Sequence, residues 1–445
     1  MTTHQLLREG PRVSAAAEAA LVASAALDCV HCGLCLSSCP TYVATGREPS
    51  SPRGRIYLMR ALAEGRLQPD ATVYRDLDEC LVCRNCETVC PSGVRFGVMM
   101  EHTRDRLEQG PQRDQRTRKL KRLAFRWLLP SPRLLRLLAN ALDIYQQPKF
   151  APMRRLIHRF LSPATREAEK LMPRIPSGRM RRPLPRVSEP TGAATSRVGL
   201  LEGCVAVQLL PEVNRATCRV LNHHDATVVC PPSRPCCGAL ALHFGDAECA
   251  AKQAVRTIDA FARECVEHIV VNSAGCGSAM KEYGRLLQGT KHEARAREFA
   301  SRVLDVSEWL VKAGIRPPAQ ALELRVAYDD PCHLLHAQRI AAPPREMLQA
   351  IKGVKLVAHE GAETCCGAAG IYSVLQPTLS AVILATKIEA LRKANPQVVT
   401  TGNPGCLLQI RSGLEQAGLA AIEVLHPVEL LDRAYRAVAT ASRAR

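Results

Sequence analysis

The sequence predicts a multidomain α+β chain: a helical N-terminal domain built around cysteines, a basic helical connecting region, and a duplicated α/β domain with parallel sheets. Three observations carry this. Eight of the twenty cysteines fall in two tight runs that end at Cys90. The next hundred residues hold no cysteine and are strongly basic. From Arg197 onward, cysteines recur at near-constant offsets on short apolar runs that alternate with helical patterns. These changes divide the chain at 1–103, 104–196, 197–318 and 319–445.

The first run is Cys29-x-x-Cys32-x-x-Cys35-x-x-x-Cys39-Pro40, and the second is Cys80-x-x-Cys83-x-x-Cys86-x-x-x-Cys90-Pro91. Three thiolates at two-residue gaps can wrap one face of an iron–sulfur cubane, while the fourth, followed by Pro, leaves on a helix to serve the other cluster. The spacing therefore predicts a ferredoxin-like domain with two [4Fe–4S] clusters. One takes Cys29, Cys32, Cys35 and Cys90; the other takes Cys80, Cys83, Cys86 and Cys39. Two Cys-x-x-Cys pairs would suffice for a zinc site, so a zinc reading leaves the third cysteine of each run and both prolines unexplained. Gly33 and Gly93 fit places where backbone passes close to the cluster. Between the runs, Ser51-Pro52-Arg53-Gly54-Arg55-Ile56 opens a helical pattern through Ala63. Arg53 or Arg55 could offset cluster charge there, but composition favours a Pro-initiated helix with solvated arginines.

The formal net charge is +18, and between Arg104 and Glu189 there are 22 Lys and Arg against 7 Asp and Glu. The segment also carries Pro130, Pro132, Pro148, Pro152, Pro163, Pro173 and Pro176, and its end, Pro176–Ser196, reads as an extended linker. Leu120–Ile144 and Met153–Leu161 combine Arg with Leu, Trp127 and Phe160, as basic amphipathic helices do. Such a face suits anionic lipid or a partner subunit, and amphipathicity alone does not separate them. Sparse aromatics, 4%, and the absence of a recognition module argue against nucleic acid.

The repeat is read from Cys204, Cys236-Cys237-Gly238 and Cys276 against Cys332, Cys365-Cys366-Gly367 and Cys406, at offsets of 128, 129 and 130 residues. Val198–Leu201, Thr227–Val229 and His268–Val271 read as strands in the first copy; Leu324–Ala327, Lys355–Val357 and Gln397–Thr400 match them in the second. Amphipathic helices, such as Ala250–Val266 and Leu379–Lys393, lie between. Ligands of parallel sheets gather beyond the carboxyl ends of the strands, so all eight cysteines are expected there, one group per copy. Each group could hold a further cluster or zinc, or work as a thiol–disulfide pair; buried cysteines also serve simply as small hydrophobes. Cys218, Cys230, Cys249 and Cys265 have no repeat counterpart and are expected in cores. His333 and His336 suit a metal or proton role, or a helix start satisfied by backbone. Lys281 and Tyr283 could contact an anion or lie on a solvated helix face.

Other function classes recede. Hydrophobic and charged residues, 47% and 23%, are ordinary for a globular protein of 445 residues and two to four domains. Tight Cys-x-x-Cys runs in a long chain point to metal and a reducing compartment, not disulfides. Met1–Arg12 is polar, without a secretory pattern, and no run of about eighteen apolar residues appears. A cytoplasmic setting is expected. No Gly-x-Gly-x-x-Gly follows a strand and no acid–base constellation is visible, so no catalytic residue is assigned to this chain.

These residues resemble the iron–sulfur subunit of bacterial glycolate oxidase (glycolate dehydrogenase). Beyond the two cysteine runs and Ser51–Arg55, the resemblance rests on Cys236-Cys237-Gly238-Ala239-Leu240, Ser273-Ala274-Gly275-Cys276-Gly277 and Lys281-Glu282-Tyr283-Gly284. It continues through Asp330-Pro331-Cys332-His333, Cys365–Tyr372, Leu375-Gln376-Pro377, Asn403-Pro404-Gly405-Cys406 and His426–Leu431. The resemblance implies a multi-subunit enzyme oxidising glycolate, and often D-lactate, with FAD in partner subunits, not in this chain. Electrons would pass singly through this subunit to quinone or another acceptor, placing it in the cytoplasm and peripherally on the inner face of the membrane. Similar cysteine-rich domains occur in lactate-utilisation proteins, glycerol-3-phosphate dehydrogenase and heterodisulfide reductase, which supply the alternative readings. One departure stands out. The heterodisulfide reductase pattern ends in Cys-x-x-Cys, whereas here Ala279 and Gln409 occupy the fifth cysteine's place.

Overall fold

A computed structural model describes residues 15–152 and 173–443; Met153–Leu161, read as a basic helix, lies outside them. In the N-terminal region, helices Ala15–Ala26, Pro52–Ala63, Ala71–Asp78 and Phe96–Gln109 close over a core of Ile56, Met59, Leu77, Met99 and Met100. The helix at Pro52 begins as its sequence dictates. Pro52 sits in the first turn, where a missing N–H costs nothing, and Ser51 Oγ accepts from the Gly54 amide at 3.0 Å. Position 54 must be glycine because a Cβ would lie 2.1 Å from the Glu48 carbonyl oxygen.

The rest of the chain carries two sheets. The first contains β1 (Val187–Ser188), β2 (Ser196–Leu201), β3 (Ala226–Val229), β4 (His268–Val271) and β5 (Val303–Asp305), in the order β1-β3-β2-β4-β5. The second contains β6 (Leu324–Tyr328), β7 (Val354–Leu356), β8 (Val398–Thr400) and β9 (Glu423–Leu425), in the order β7-β6-β8-β9. Every pairing is parallel except that of β1 with β3. Without β1 the two orders coincide, so the duplication read from cysteine spacing is a duplication of topology. The helices expected at Ala250–Val266 and Leu379–Lys393 run over Ala247–Ala262 and Pro377–Ala394, set by the Asp246 cap and by Pro377 in a first turn.

Three strands were not read from the sequence. β1 lies inside Pro176–Ser196, the tract read as a linker. That tract is pinned instead: the Cys230 amide donates to Arg186 O, and the buried Arg181 reaches Asn140 Oδ1 at 2.8 Å. Its prolines are tolerated because β1 is an edge strand. β5 and β9 have three residues each, too few to show an alternating pattern.

The two repeats share one hydrophobic core, which runs from Val198, Leu200 and Val228 to Val326, Val398 and Leu430. Helix Pro211–His223 packs on Pro427–Arg443, and Val306–Ala313 on Ala342–Gln349; Arg219 pairs with Asp432 at 2.7 Å across the first contact. The N-terminal region docks on both repeats. Arg285 of the first repeat pairs with Glu101 at 2.6 Å and Arg84 pairs with Glu282, while Thr88 Oγ1 lies 2.9 Å from His336 Nδ1 in the second.

The basic region forms Gln115–Leu123, a π-turn at Ala124–Leu128 and Pro132–Gln146. One side docks on this chain's own first repeat: buried Phe125 stacks on Phe244 with centroids 5.9 Å apart, and Arg126 pairs with Asp246 at 2.8 Å. Leu120, Leu123, Trp127 and Leu137 remain exposed. Among the described residues, no helix is long and apolar enough to cross a membrane.

Candidate metal centres

The N-terminal cysteines line two hollows. The first, of about 430 Å³, is bordered by Cys29, Cys32, Cys35 and Cys90, with Arg53 and Pro91 at its rim. The second, of about 310 Å³, is bordered by Cys39, Cys80 and Cys83, with Arg55 among them. Cys86 borders both. Each run thus supplies most of one hollow and sends its last cysteine to the other.

The backbone explains how short loops can do this. His31 and Val82, each just before the second cysteine of a run, have φ of 55° and 51°. Gly33 and Arg84, each just after it, have φ of 85° and 62°. Left-handed geometry is costly for a β-branched residue, about 1–3 kcal/mol, so Val82 is held by its surroundings in a wrapped loop. Gly33 borders the first hollow; Gly93, also left-handed, has open space around its α-carbon. A helix does leave from Cys39–Pro40, over Pro40–Thr45, whereas Pro91 enters a turn and the next helix begins at Phe96.

The donor set fits an iron–sulfur tenant. Burial pushes the Cys83 and Cys86 thiols well above their ordinary range, with neighbouring thiols adding to it. Such thiols ionise when a cation takes the charge, which is what iron ligation supplies. Arg55 gives a second sign. It is fully buried, not solvated as composition favoured: Nε donates to Asp76 O at 2.8 Å and Nη1 to Thr41 Oγ1 at 2.9 Å, leaving Nη2 buried without a partner. An unsatisfied cation beside a thiol-lined hollow suits an anionic group. Arg53 stays half-exposed, donating to His31 O and to Glu48. Replacing Arg55 with Met is therefore expected to lower the midpoint potential of the centre in the second hollow by about 60 mV or more, a tenfold change in a one-electron equilibrium. A redox titration followed by low-temperature spectroscopy measures it, and an unchanged midpoint would assign Arg55 to packing alone.

The repeats place their cysteines beyond the carboxyl ends of β2, β3 and β4, and of β6, β7 and β8. Cys204 and Cys236 have sulfurs 3.8 Å apart, and Cys237 and Cys276 lie close enough to shift one another's ionisation. In the second repeat Cys332, Cys365, Cys366 and Cys406 perturb their neighbours in the same way. All eight are thus gathered, four per repeat. Among the described residues, no group of three or more His, Cys, Asp or Glu is arranged to hold a metal ion as it stands. Of the unmatched cysteines, Cys218, Cys230 and Cys249 are buried as expected, but Cys265 is exposed, in a left-handed turn before β4.

The histidines divide. His336 is satisfied, facing Thr88 through Nδ1 and Glu363 O through Nε2. His333 is not satisfied by backbone: Nδ1 lies 3.5 Å from Cys332 Sγ, and buried Nε2 has no partner. Neither Lys281 nor Tyr283 lies on a solvated face. Lys281 pairs with Glu308 at 2.6 Å, and buried Tyr283 donates to Cys237 O at 2.7 Å.

Several site residues carry no local sequence signal. Lys387, in mid-helix and buried, donates to Asp329 Oδ1 at 2.5 Å, to Gly361 O at 2.6 Å and to Thr364 O at 2.8 Å. It therefore ties the segment before Cys332 to the loop before Cys365. The corresponding place in the first repeat is Thr257, whose hydroxyl donates to Cys236 O at 3.1 Å. Arg104 donates to Cys80 O at 2.6 Å and to His243 O at 2.9 Å, fastening the Cys80 loop to the first repeat.

Residues 25–94 match a 4Fe-4S dicluster domain, and residues 198–281 and 326–411 each match a cysteine-rich domain. The chain is 35% identical to a probable glycolate oxidase iron-sulfur subunit of Bacillus subtilis, over 91% of this chain and 93% of that protein. It is 34% identical to the glycolate oxidase iron-sulfur subunit of Escherichia coli, with the same coverage. Lactate utilization protein A of Shouchella clausii is 29% identical, over 53% of this chain and 98% of that protein.

Proposed function

This chain belongs to the family of glycolate oxidase iron–sulfur subunits, and from that premise we propose that it carries electrons out of a glycolate dehydrogenase complex. It is an iron–sulfur electron-transfer subunit. In the proposed reading, Cys29, Cys32, Cys35 and Cys90 hold one [4Fe–4S] cluster and Cys39, Cys80, Cys83 and Cys86 hold a second. Such clusters supply one-electron carriage at potentials the protein tunes by burial and hydrogen bonding. The observation that carries the reading is the pair of hollows, each bordered by cysteines of both runs.

The chain's own residues shape that role. Arg55 brings charge to the second hollow, and Arg104 fixes the backbone of Cys80. At the first hollow Cys32 is exposed, and Leu27, Val30 and Leu34 form an exposed apolar rim. This rim supports electron delivery there by a partner subunit carrying FAD. That partner would oxidise glycolate, or D-lactate, taking the hydride, and no catalytic residue is assigned to this chain in this reading. The exposed Leu120, Leu123, Trp127 and Leu137 beside basic residues support a peripheral seat on an anionic membrane surface, near quinone, on the cytoplasmic side. The layout 1–103, 104–196, 197–318 and 319–445 goes with this reading, with each four-thiol group as a further metal site.

The test is anaerobic purification of the intact complex. Co-purifying flavin subunits, about eight or more irons per chain, and a reduced-cluster signal developing on addition of glycolate are expected. Zinc without iron would refute the reading. A signal that responds to glycerol 3-phosphate or another 2-hydroxy acid, and not to glycolate, would move the chain to a different dehydrogenase.

A further inference from the structure

The four cysteine groups are not equally placed, and their contacts give an order. Cys83, at the second hollow, is buried in one apolar cluster with Leu81, Cys365, Tyr372 and Ile383, and Cys332 packs against that cluster. The ligand loop of the N-terminal region thus touches the second repeat's thiols directly. Tyr372 closes the same contact: its hydroxyl donates to Glu79 O at 2.8 Å, next to Cys80. In the first repeat, Cys237 and Cys276 pack instead within that repeat's own core, among Leu201, Val229, Ile258 and Met280.

A second contact joins the repeats to each other. Asn403 Nδ2 donates to Cys406 Sγ at 3.5 Å, and its Oδ1 accepts from the Gly275 amide, next to Cys276, at 3.2 Å. The Ala274 amide donates to Gly402 O at 3.1 Å. The two turns that carry the last cysteine of each repeat therefore face one another, bridged by one side chain.

We infer that the second repeat's thiols, Cys332, Cys365, Cys366 and Cys406, form the redox site next in line to the Cys39/Cys80/Cys83/Cys86 centre, and that the first repeat's thiols follow them in the line. The inference rests on the reading that the repeats hold iron–sulfur groups. With iron–sulfur groups held by both thiol sets, each transfer would move one electron: the N-terminal centre would be oxidised by one, and the group on the second repeat's thiols reduced by one. The first repeat is then the far end of the line. Its Cys204–Leu209 helix packs on Pro132–Gln146, the helix with the exposed apolar face.

The order is testable by magnetic coupling in the full complex, purified anaerobically. In the unmodified protein, poised so that the Cys29/Cys32/Cys35/Cys90 centre stays oxidised and diamagnetic, the signal of the reduced Cys39/Cys80/Cys83/Cys86 centre should be split or relaxed by a paramagnetic neighbour. C365S/C366S should abolish that coupling and lower iron content, whereas C236S/C237S should lower iron content and leave the coupling intact. Because a buried double substitution can prevent folding, Cys406→Ser provides a milder variant with the same expected loss. Absence of coupling in the unmodified protein overturns the inference without any variant. Coupling that survives C365S/C366S or Cys406→Ser, or that is lost in C236S/C237S, overturns the order alone. Iron content unchanged in all three variants overturns the reading that the repeats hold clusters, and the inference with it.

Discussion

Replacing Cys83 with Ser is expected to strip the chain of one cluster, leaving about four of about eight N-terminal irons and no electron flow from glycolate to acceptor. Cys83 is buried, and borders the second hollow with Cys39, Cys80 and Cys86. Even residues that only orient a metal ligand cost 10- to 100-fold in metal affinity when lost, so a missing thiolate in a buried four-ligand set should exceed that. The surrounding apolar contact with Cys365 and Ile383 tolerates the near-isosteric hydroxyl, so the fold should persist. Iron analysis and the low-temperature signal of the reduced protein read the outcome. Cys265→Ser is the natural control: it is exposed and outside every thiol group, and should retain iron and signal. Full iron in the Cys83 variant would remove this cysteine from the ligand set.

Lys387→Met should cost about 3–5 kcal/mol of folding stability, the range for leaving one member of a buried ion pair alone. Lys387 and Asp329 are both buried. Burial already pushes the Asp329 carboxyl upward, and Lys387 holds it back along with His359 at 3.4 Å. Removing the ammonium leaves that carboxylate without its charge partner and the Thr364 carbonyl without this donor, while Gly361 O keeps the Thr364 amide and hydroxyl. Denaturant unfolding measures the loss. Adding Asp329→Asn should recover part of it, because the stranded charge is then gone. A change below about 1 kcal/mol would mean that the pair contributes no more than an exposed one.

Much of this was legible from the chain itself. The cysteine runs, the offsets of the duplication and six of the nine strands among the described residues all show in local spacing, because ligand geometry and strand period act over a few residues. Arg55 shows where such reading stops. Nothing within Ser51–Ile56 distinguishes it from Arg53, yet one is buried under Thr41 and Asp76 and the other reaches solvent. Cys265 makes the same point in reverse: its composition suits a core, but its turn leaves it outside. β1 was missed because an edge pairing to β3, about forty residues on, gives its own segment no pattern.

The sequence determined the kinds of centre this protein can carry and that its second half is one domain used twice. Ligand identity and repeat offsets are properties of short spacings, which any compact fold must respect. Only the tertiary structure decided which thiol group meets which. The two repeats share cysteine pattern and strand order, but Cys83 packs against the thiols of only the second; the first repeat meets the same loop through Glu282. That asymmetry arises from packing between segments nearly three hundred residues apart, where Tyr372 meets Glu79, and no periodicity along the chain records it.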